Sequence, residues 1–368
     1  MTATAPYDLA PIASILMLGA LLAFGPVAWL WHRQRGQGGA ARLRALTVLT
    51  LCLTFDLVLF GAFTRLTDSG LGCPDWPGCY GHASPLGAHA QIGAAQSVLP
   101  DGPVTHGKAW VEMIHRYLAT GVGALIVVLT ALSWVEARRR TLAISPWWAS
   151  ATLLWVCVQG AFGALTVTMK LYPLIVTLHL LGGMVLLVLL AVQLPPREPL
   201  AMSHGLFRGA VALAVLSALQ IALGGWVSTN YAVLACDGFP ACQGSWWPAM
   251  DFEHGFALLR ELGAGKDGGA LPFAALTAIH YVHRLVAYGL LVAMAAFAWR
   301  LHRHAGLRPW ALGTATMALW QLASGLSNVV LGWPLIGAVA HTAGAAAWVT
   351  LLTLLITRAL RAPAAPAP

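Results

Sequence analysis

Nine runs of about twenty predominantly apolar residues set what this chain can become. They lie at 9–31, 44–64, 109–134, 147–168, 172–193, 209–228, 273–299, 310–331 and 335–357. A run of that length covers the hydrocarbon core of a bilayer as a helix, whose backbone groups are all satisfied within the segment. The chain is therefore expected to be an all-α membrane protein. Its composition agrees: 58% of the 368 residues are hydrophobic and 9% charged, where a soluble domain carries about 25% charged residues. The net charge of +8 would suit a nucleic-acid binder, but the cations gather at the ends of apolar runs. That placement points to lipid and away from nucleic acid.

The first run reads as a retained span. No Lys or Arg precedes it in MTATAPYDLA, and the basic segment WHRQRGQGGAARLR follows it, the reverse of a secretory signal. Placing 32–44, 136–146, 194–208, 300–309 and the tail from 358 on one side collects most of the 21 Lys and Arg residues there, Arg33, Arg35, Arg138, Arg139, Arg300 and Arg358 among them. By the positive-inside rule that side is cytoplasmic. The N-terminus and the segments 65–108 and 229–272 are then outside, periplasmic for a bacterial inner membrane.

Cys73 and Cys79 (CPDWPGC) and Cys236 and Cys242 (CDGFPAC) fall in those outer segments. An oxidising compartment favours a disulfide within each. Zinc is the other use of paired cysteines, but five intervening residues suit it less and no nearby histidine completes a set. Cys52 and Cys157 lie inside apolar runs and read as small fillers.

The chain also repeats itself. GAFTRLTDSGLGCPDWPGCYG (61–81) aligns without a gap on GGWVSTNYAVLACDGFPACQG (224–244). Gln159 and His179 recur with equal spacing as Gln321 and His341, and His115-Arg116 recurs as His283-Arg284. The fold expected is two parallel four-helix-bundle repeats, eight helices in all, plus one extra N-terminal transmembrane helix. The corresponding divisions are 1–40 (extra helix and basic loop), 41–195 (first repeat), 196–361 (second repeat) and a disordered tail at 362–368. The Ala-rich centre of the loop GHASPLGAHAQIGAAQSVLPDGP predicts a short helix on the membrane surface.

His115, His179, His283 and His341 each lie about six to ten residues into a span running inward from the outer side, roughly 10 Å deep. A single intramembrane histidine is most often a hydrogen-bonded core residue. A pair in each repeat, all at one level, is the arrangement that clamps an iron porphyrin between two imidazoles in a four-helix bundle. Two haem sites, one per repeat, are expected. The other histidines (32, 82, 89, 106, 204, 254, 302 and 304) have no repeat partner.

Arg116 and Arg284 directly follow ligand candidates, a rotation of about 100° on a helix. They are candidates either for snorkelling to headgroups or for pairing with haem propionates. Glu112 lies on the face of His115, three residues before it, and its counterpart is His280. One half thus has an acid beside its presumed haem and the other an imidazole, as if one haem had become a substrate. A carboxylate there can take up a proton or stabilise developing positive charge; its other use is to bond the adjacent loop. Gln159 and Gln321 read as structural ties, and Asp56 is left open.

GAFTRLTDSGLGCPDWPGCYG, EMIHR, LHLLGG, VHR and AHTAG together resemble the haem A synthase family of bacterial and mitochondrial membranes, across roughly 44–358. The resemblance implies an eight-helix duplicated bundle, an oxidoreductase that converts the C8 methyl of haem o to the formyl of haem a, through an alcohol and with molecular oxygen or water. It implies that His115 and His179 hold the substrate haem, that Glu112 is the catalytic acid, and that His283 and His341 hold a cofactor haem b which relays electrons. Expected partners are haem o, an electron carrier of unidentified type, membrane lipid and, for handing over a water-insoluble substrate, haem O synthase. The helix at 9–31 and the length of the first outer loop depart from the family pattern. A dihaem b-type cytochrome that passes electrons without modifying haem is the alternative; it leaves the acid in only one half unexplained. A parallel-repeat transporter would place its polar groups near mid-bilayer at the repeat interface.

Overall fold

The structure, a computed structural model, describes residues 10–139, 144–194, 199–261 and 270–361; the tail expected to be disordered lies outside them. The helices are α1 (Ala10–Arg33), α2 (Gly39–Leu66), α3 (His89–Val98), α4 (His106–Arg138), α5 (Trp147–Thr168), α6 (Pro173–Val192), α7 (His204–Thr229), α8 (Phe252–Gly255), α9 (Phe273–His302), α10 (Arg308–Val330) and α11 (Leu335–Leu360). Single 3-10 turns sit at Ala232–Leu234 and Ala305–Leu307. Among the described residues there is no strand; isolated bridges pair Cys79 with His82 and Cys242 with Ser245. The fold is all-helical, and the Ala-rich loop does form a helix, α3.

Eight of these helices are long and apolar enough to cross a membrane. The ninth apolar run, α10, has the length but not the hydropathy, because Gln321, Ser324, Ser327 and Asn328 dilute it. Only residues 303–307 separate it from α9 and 331–334 from α11, and it packs beside both of these helices of spanning length.

The chain divides into two compact units, one drawn from the residues up to Leu171 and the other beginning at Tyr172. In the first, α4 is the hub, with α1, α2 and α5 packed around it. The extra N-terminal helix therefore has a place: it covers α4. Gly19 makes the approach close, since a Cβ there would run into Thr120, and Gly121 faces Leu22. Between helices in lipid the gain comes from such close packing and not from removal from water, which is why small residues sit at the contact.

In the second unit α7, α9, α10 and α11 form a ring. Each of α9 and α11 packs on both α7 and α10, while α9 and α11 do not pack on each other. They occupy opposite corners of a four-helix bundle. Helix α6 lies against α7 and α11. One end of the bundle is filled by Leu213, Leu290, Met294, Phe297, Trp348 and Leu352, with Trp348 Nε1 donating to Ser217 Oγ at 2.8 Å. The opposite end, where α9 and α11 begin, carries Gln220, Gly224, His283, Ser324 and His341. Apolar plug and polar end are thus separated along one bundle.

The Gly19 contact predicts the effect of filling it. Gly19→Leu should lift α1 from α4 and destabilise the detergent-purified protein by about 1–3 kcal/mol, the usual cost of overpacking, seen as a lower thermal midpoint. An unchanged midpoint would mean that this approach does not dock α1.

Candidate functional site

Helix α4 starts at His106 because Thr105 caps it, its side chain accepting from the Lys108 amide at 3.2 Å. That start sets Glu112 and Arg116 one turn apart beneath the first disulfide loop, where Cys73 and Cys79 are bonded. Glu112 is 4% exposed. Its Oε1 accepts from Arg116 Nη2 at 2.5 Å, and its Oε2 accepts from the Cys73 amide at 2.8 Å. Arg116 Nη1 donates to the carbonyls of Asp75, Pro77 and Gly78 at 3.0, 3.1 and 2.6 Å. The loop is further pinned by Asp75, whose carboxylate accepts from the Tyr80 and Gly81 amides. Tyr117 donates to the Ala83 carbonyl at 2.6 Å. So the carboxylate does bond the adjacent loop, and the arginine does not snorkel: its charge is met by Glu112 and by loop carbonyls.

The second disulfide loop is built the same way. Cys236 and Cys242 are bonded. Arg284 donates to the carbonyls of Cys236, Gly238 and Ala241 at 2.6, 2.8 and 3.3 Å. Both loops close with a two-bond bridge, Cys79–His82 and Cys242–Ser245. In both, a left-handed residue precedes a left-handed glycine: Tyr80 and Gly81 (φ 50° and 75°), Gln243 and Gly244 (φ 53° and 72°). Where the first arginine meets Glu112, the second meets His280, whose Nε2 accepts from Arg284 Nε at 3.2 Å. Arg284 is 5% exposed, and among the described residues no carboxylate lies within ion-pair distance of it. The clamp is the same; the group facing it has changed from acid to imidazole.

Two of the four histidines, His115 and His283, directly precede the clamp arginines on α4 and α9. His115 lies against α2: its ring is nearly parallel to that of Phe60, centroids 6.3 Å apart, and a Cβ on Gly61 would come within 3.0 Å of its Nε2. His283 on α9 lies likewise against Gly224 of α7, where a Cβ would come within 3.0 Å of Cε1. Gln220, one turn earlier on α7, donates to the His283 carbonyl at 3.1 Å and lies 3.0 Å from Nδ1. His341 on α11 packs against α10, where Gln321 donates to its carbonyl at 3.1 Å and Ser324 Oγ lies 3.0 Å from its Nδ1. A Cβ on Gly325 would come within 3.2 Å of its ring. His179 on α6 has a buried Nδ1 with no hydrogen-bond partner among the described residues. His283 and His341 therefore stand on opposite corners of one bundle, each ring seated against a glycine backbone of the neighbouring helix. The described residues hold no cluster of three or more His, Cys, Asp or Glu suited to a bare metal ion; two axial imidazoles fit an iron already held in a macrocycle.

Gln321 is the tie expected of it. Gln159 is buried, Asp56 is exposed on α2, and Cys52 and Cys157 are free thiols. The sequence reading missed Gln220 and Ser324, which have no polar counterpart in the other repeat, and the glycines beneath the histidines. Gly61 and Gly224 were visible, since they open the two aligned segments.

The family model described as COX15-CtaA, cytochrome oxidase assembly protein, matches residues 44–354. A Heme A synthase of Shewanella oneidensis is 38% identical over 322 residues, covering 85% of this chain and 94% of that protein. A Heme A synthase of Caulobacter vibrioides is 28% identical over 341 residues, again 85% and 94%. One from Shouchella clausii is 30% identical over 225 residues, 58% of this chain and 67% of the relative. The matched region begins after α1.

The first clamp carries its own test. Arg116→Gln leaves Glu112 buried without its cation and should cost about 3–5 kcal/mol in detergent denaturation. Adding Glu112→Gln should recover part of that loss. Equal losses from R116Q with and without E112Q would mean that the two side chains are not coupled.

Proposed function

Because the chain belongs to the COX15-CtaA family of cytochrome oxidase assembly proteins, we propose that it is a haem A synthase, an integral membrane oxidoreductase that converts the C8 methyl of haem o into the formyl group of haem a. The observation that carries this reading is the exchange of Glu112 for His280 beneath two otherwise equal clamps, which sets one half apart from the other. The relatives named Heme A synthase support it and do not favour an electron-transfer dihaem cytochrome.

His283 and His341 hold haem b as the resident cofactor. The residues fit such a group: one imidazole on each of two helices at opposite corners of a bundle, glycine backbone beside each ring, and no packing between the two helices. Bound there, haem b supplies a one-electron relay to a carrier. His115 and His179 hold the substrate haem o; they fall in different units, and their pairing rests on the sequence repeat with His283 and His341. Converting a methyl to a formyl group with one water releases four electrons and four protons, so the site needs a proton acceptor and an electron exit. Glu112 is the acid–base residue. Its carboxylate is held rigidly by the Cys73 amide and Arg116, in a setting shielded from bulk water.

Arg284 is the better placed of the two arginines to meet a haem propionate, because Arg116 already faces a carboxylate. Molecular oxygen or water supplies the formyl oxygen, and haem O synthase is the source of a substrate too apolar to cross water alone. The arginine-rich loops lie on the cytoplasmic side, the N-terminus and disulfide loops on the periplasmic side of a bacterial inner membrane.

Two measurements test this. Protein expressed with a supply of haem o should release, on acid extraction and chromatography, haem b together with haem o, its alcohol or haem a. Haem b alone, in two copies, would overturn the assignment in favour of an electron-transfer cytochrome. Glu112→Gln keeps the shape of the side chain and should retain both haems while conversion falls about 10²–10⁴-fold. Normal haem a formation by that variant would remove Glu112 from the chemistry.

A further inference from the structure

Three residues of α10 at helical spacing, Gln321, Ser324 and Gly325, converge on His341. Gln321 holds its backbone carbonyl and Gly325 gives room for its ring. Ser324 does something more specific. Its hydroxyl has one proton, and that proton goes to the Trp320 carbonyl one turn back, at 2.7 Å. Toward His341 Nδ1, 3.0 Å away, the oxygen can therefore only accept. The proton of the imidazole is then fixed on Nδ1, and the lone pair on Nε2 is presented for a ligand.

We propose that Ser324 is a positioning residue which makes the second-repeat haem permanent. It sets the tautomer of His341 and, by accepting from Nδ1, strengthens the imidazole as an iron donor. The proposal rests on the reading of His341 as a ligand of haem b. The counterpart of His341 in the first repeat, His179, lacks the device among the described residues. In the repeat alignment that pairs Gln159 with Gln321 and His179 with His341, Ser324 corresponds to Phe162, which has no acceptor, and Nδ1 of His179 is buried with no partner among the described residues. A ligand without an Nδ1 acceptor binds iron less firmly. That is the property required of a site whose haem must leave as product, and the opposite of what a resident cofactor needs.

The test uses the full chain purified with its haem, as Ser324→Ala and Ser324→Thr. Haem b loss to excess apomyoglobin and the reduction potential of the bound haem b are followed, with thermal midpoints as a folding control. S324A should lose haem b about tenfold faster, at the lower end of what removing such an outer partner costs. Its potential should rise, because a weaker donor favours the ferric state less. S324T keeps the hydroxyl and should behave as the unmodified protein. Loss rate and potential unchanged in S324A would overturn the proposal, as would an S324T of normal midpoint that matches S324A in both. Unmodified protein with no low-spin haem b would overturn the proposal together with the cofactor reading on which it rests. Low-spin haem b with S324A indistinguishable from it would overturn the role of Ser324 alone.

Discussion

A guanidinium buried beneath a loop is the interaction on which both ends of this protein depend. A disulfide loop at the membrane boundary presents backbone carbonyls that neither a helix nor a sheet satisfies, and leaving them bare in a low-dielectric setting is costly. Arginine carries five N–H donors in a rigid fork. Arg116 serves three carbonyls of one loop and Arg284 three of the other. Lysine, with a single nitrogen, could not reach the loop carbonyls and the residue one turn before it from separate donors, as Arg116 does with Nη1 and Nη2 and Arg284 with its fork and Nε. Because each arginine follows its histidine on the same helix, the loop is referenced to the helix that carries the candidate ligand.

This shared clamp explains how the halves could diverge. The residue one turn before each arginine completes its hydrogen bonding, and either a carboxylate or an imidazole nitrogen can accept there. Exchange of acid for imidazole leaves the loop in place while changing the local charge completely. The first clamp pairs its cation directly with a carboxylate; the second sets it against carbonyl oxygens and an imidazole, with the Asp237 carboxylate acting on it only from beyond ion-pair distance. A duplicated binding site can acquire a second chemistry at such a position with little cost to its architecture. In the proposed reading the first clamp serves proton handling and the second attracts an anion.

Much of the fold could be read directly from the sequence, because lipid leaves few alternatives: apolar runs must be helices, and their lengths and basic flanks order them. The two disulfides and the loop repeat were legible for the same reason, as cysteine spacing and alignment are local properties. Side-chain partners were not. Arg116 and Arg284 read equally well as headgroup or propionate contacts, since sequence does not reveal that a loop folds back over them. Ser324 and Gln220 were invisible because they matter in only one repeat, and symmetry was the instrument of detection. Helix α1 had no evident role until Gly19 met Thr120, a contact set by how two helices happen to cross.

Helix α10 connects the chemistry of the second bundle to the way the chain enters the bilayer. Two of the four residues that make it too polar to count as a span, Gln321 and Ser324, are turned toward His341. Each such side chain raises the free energy of inserting the segment by itself. Helix α10 is therefore a passenger, carried in by α9 and α11 through connections too short to let it lag behind. In the proposed reading, biogenesis and ligand geometry are under opposing pressures at the same positions: a more apolar α10 would insert more readily and hold His341 of α11 less well.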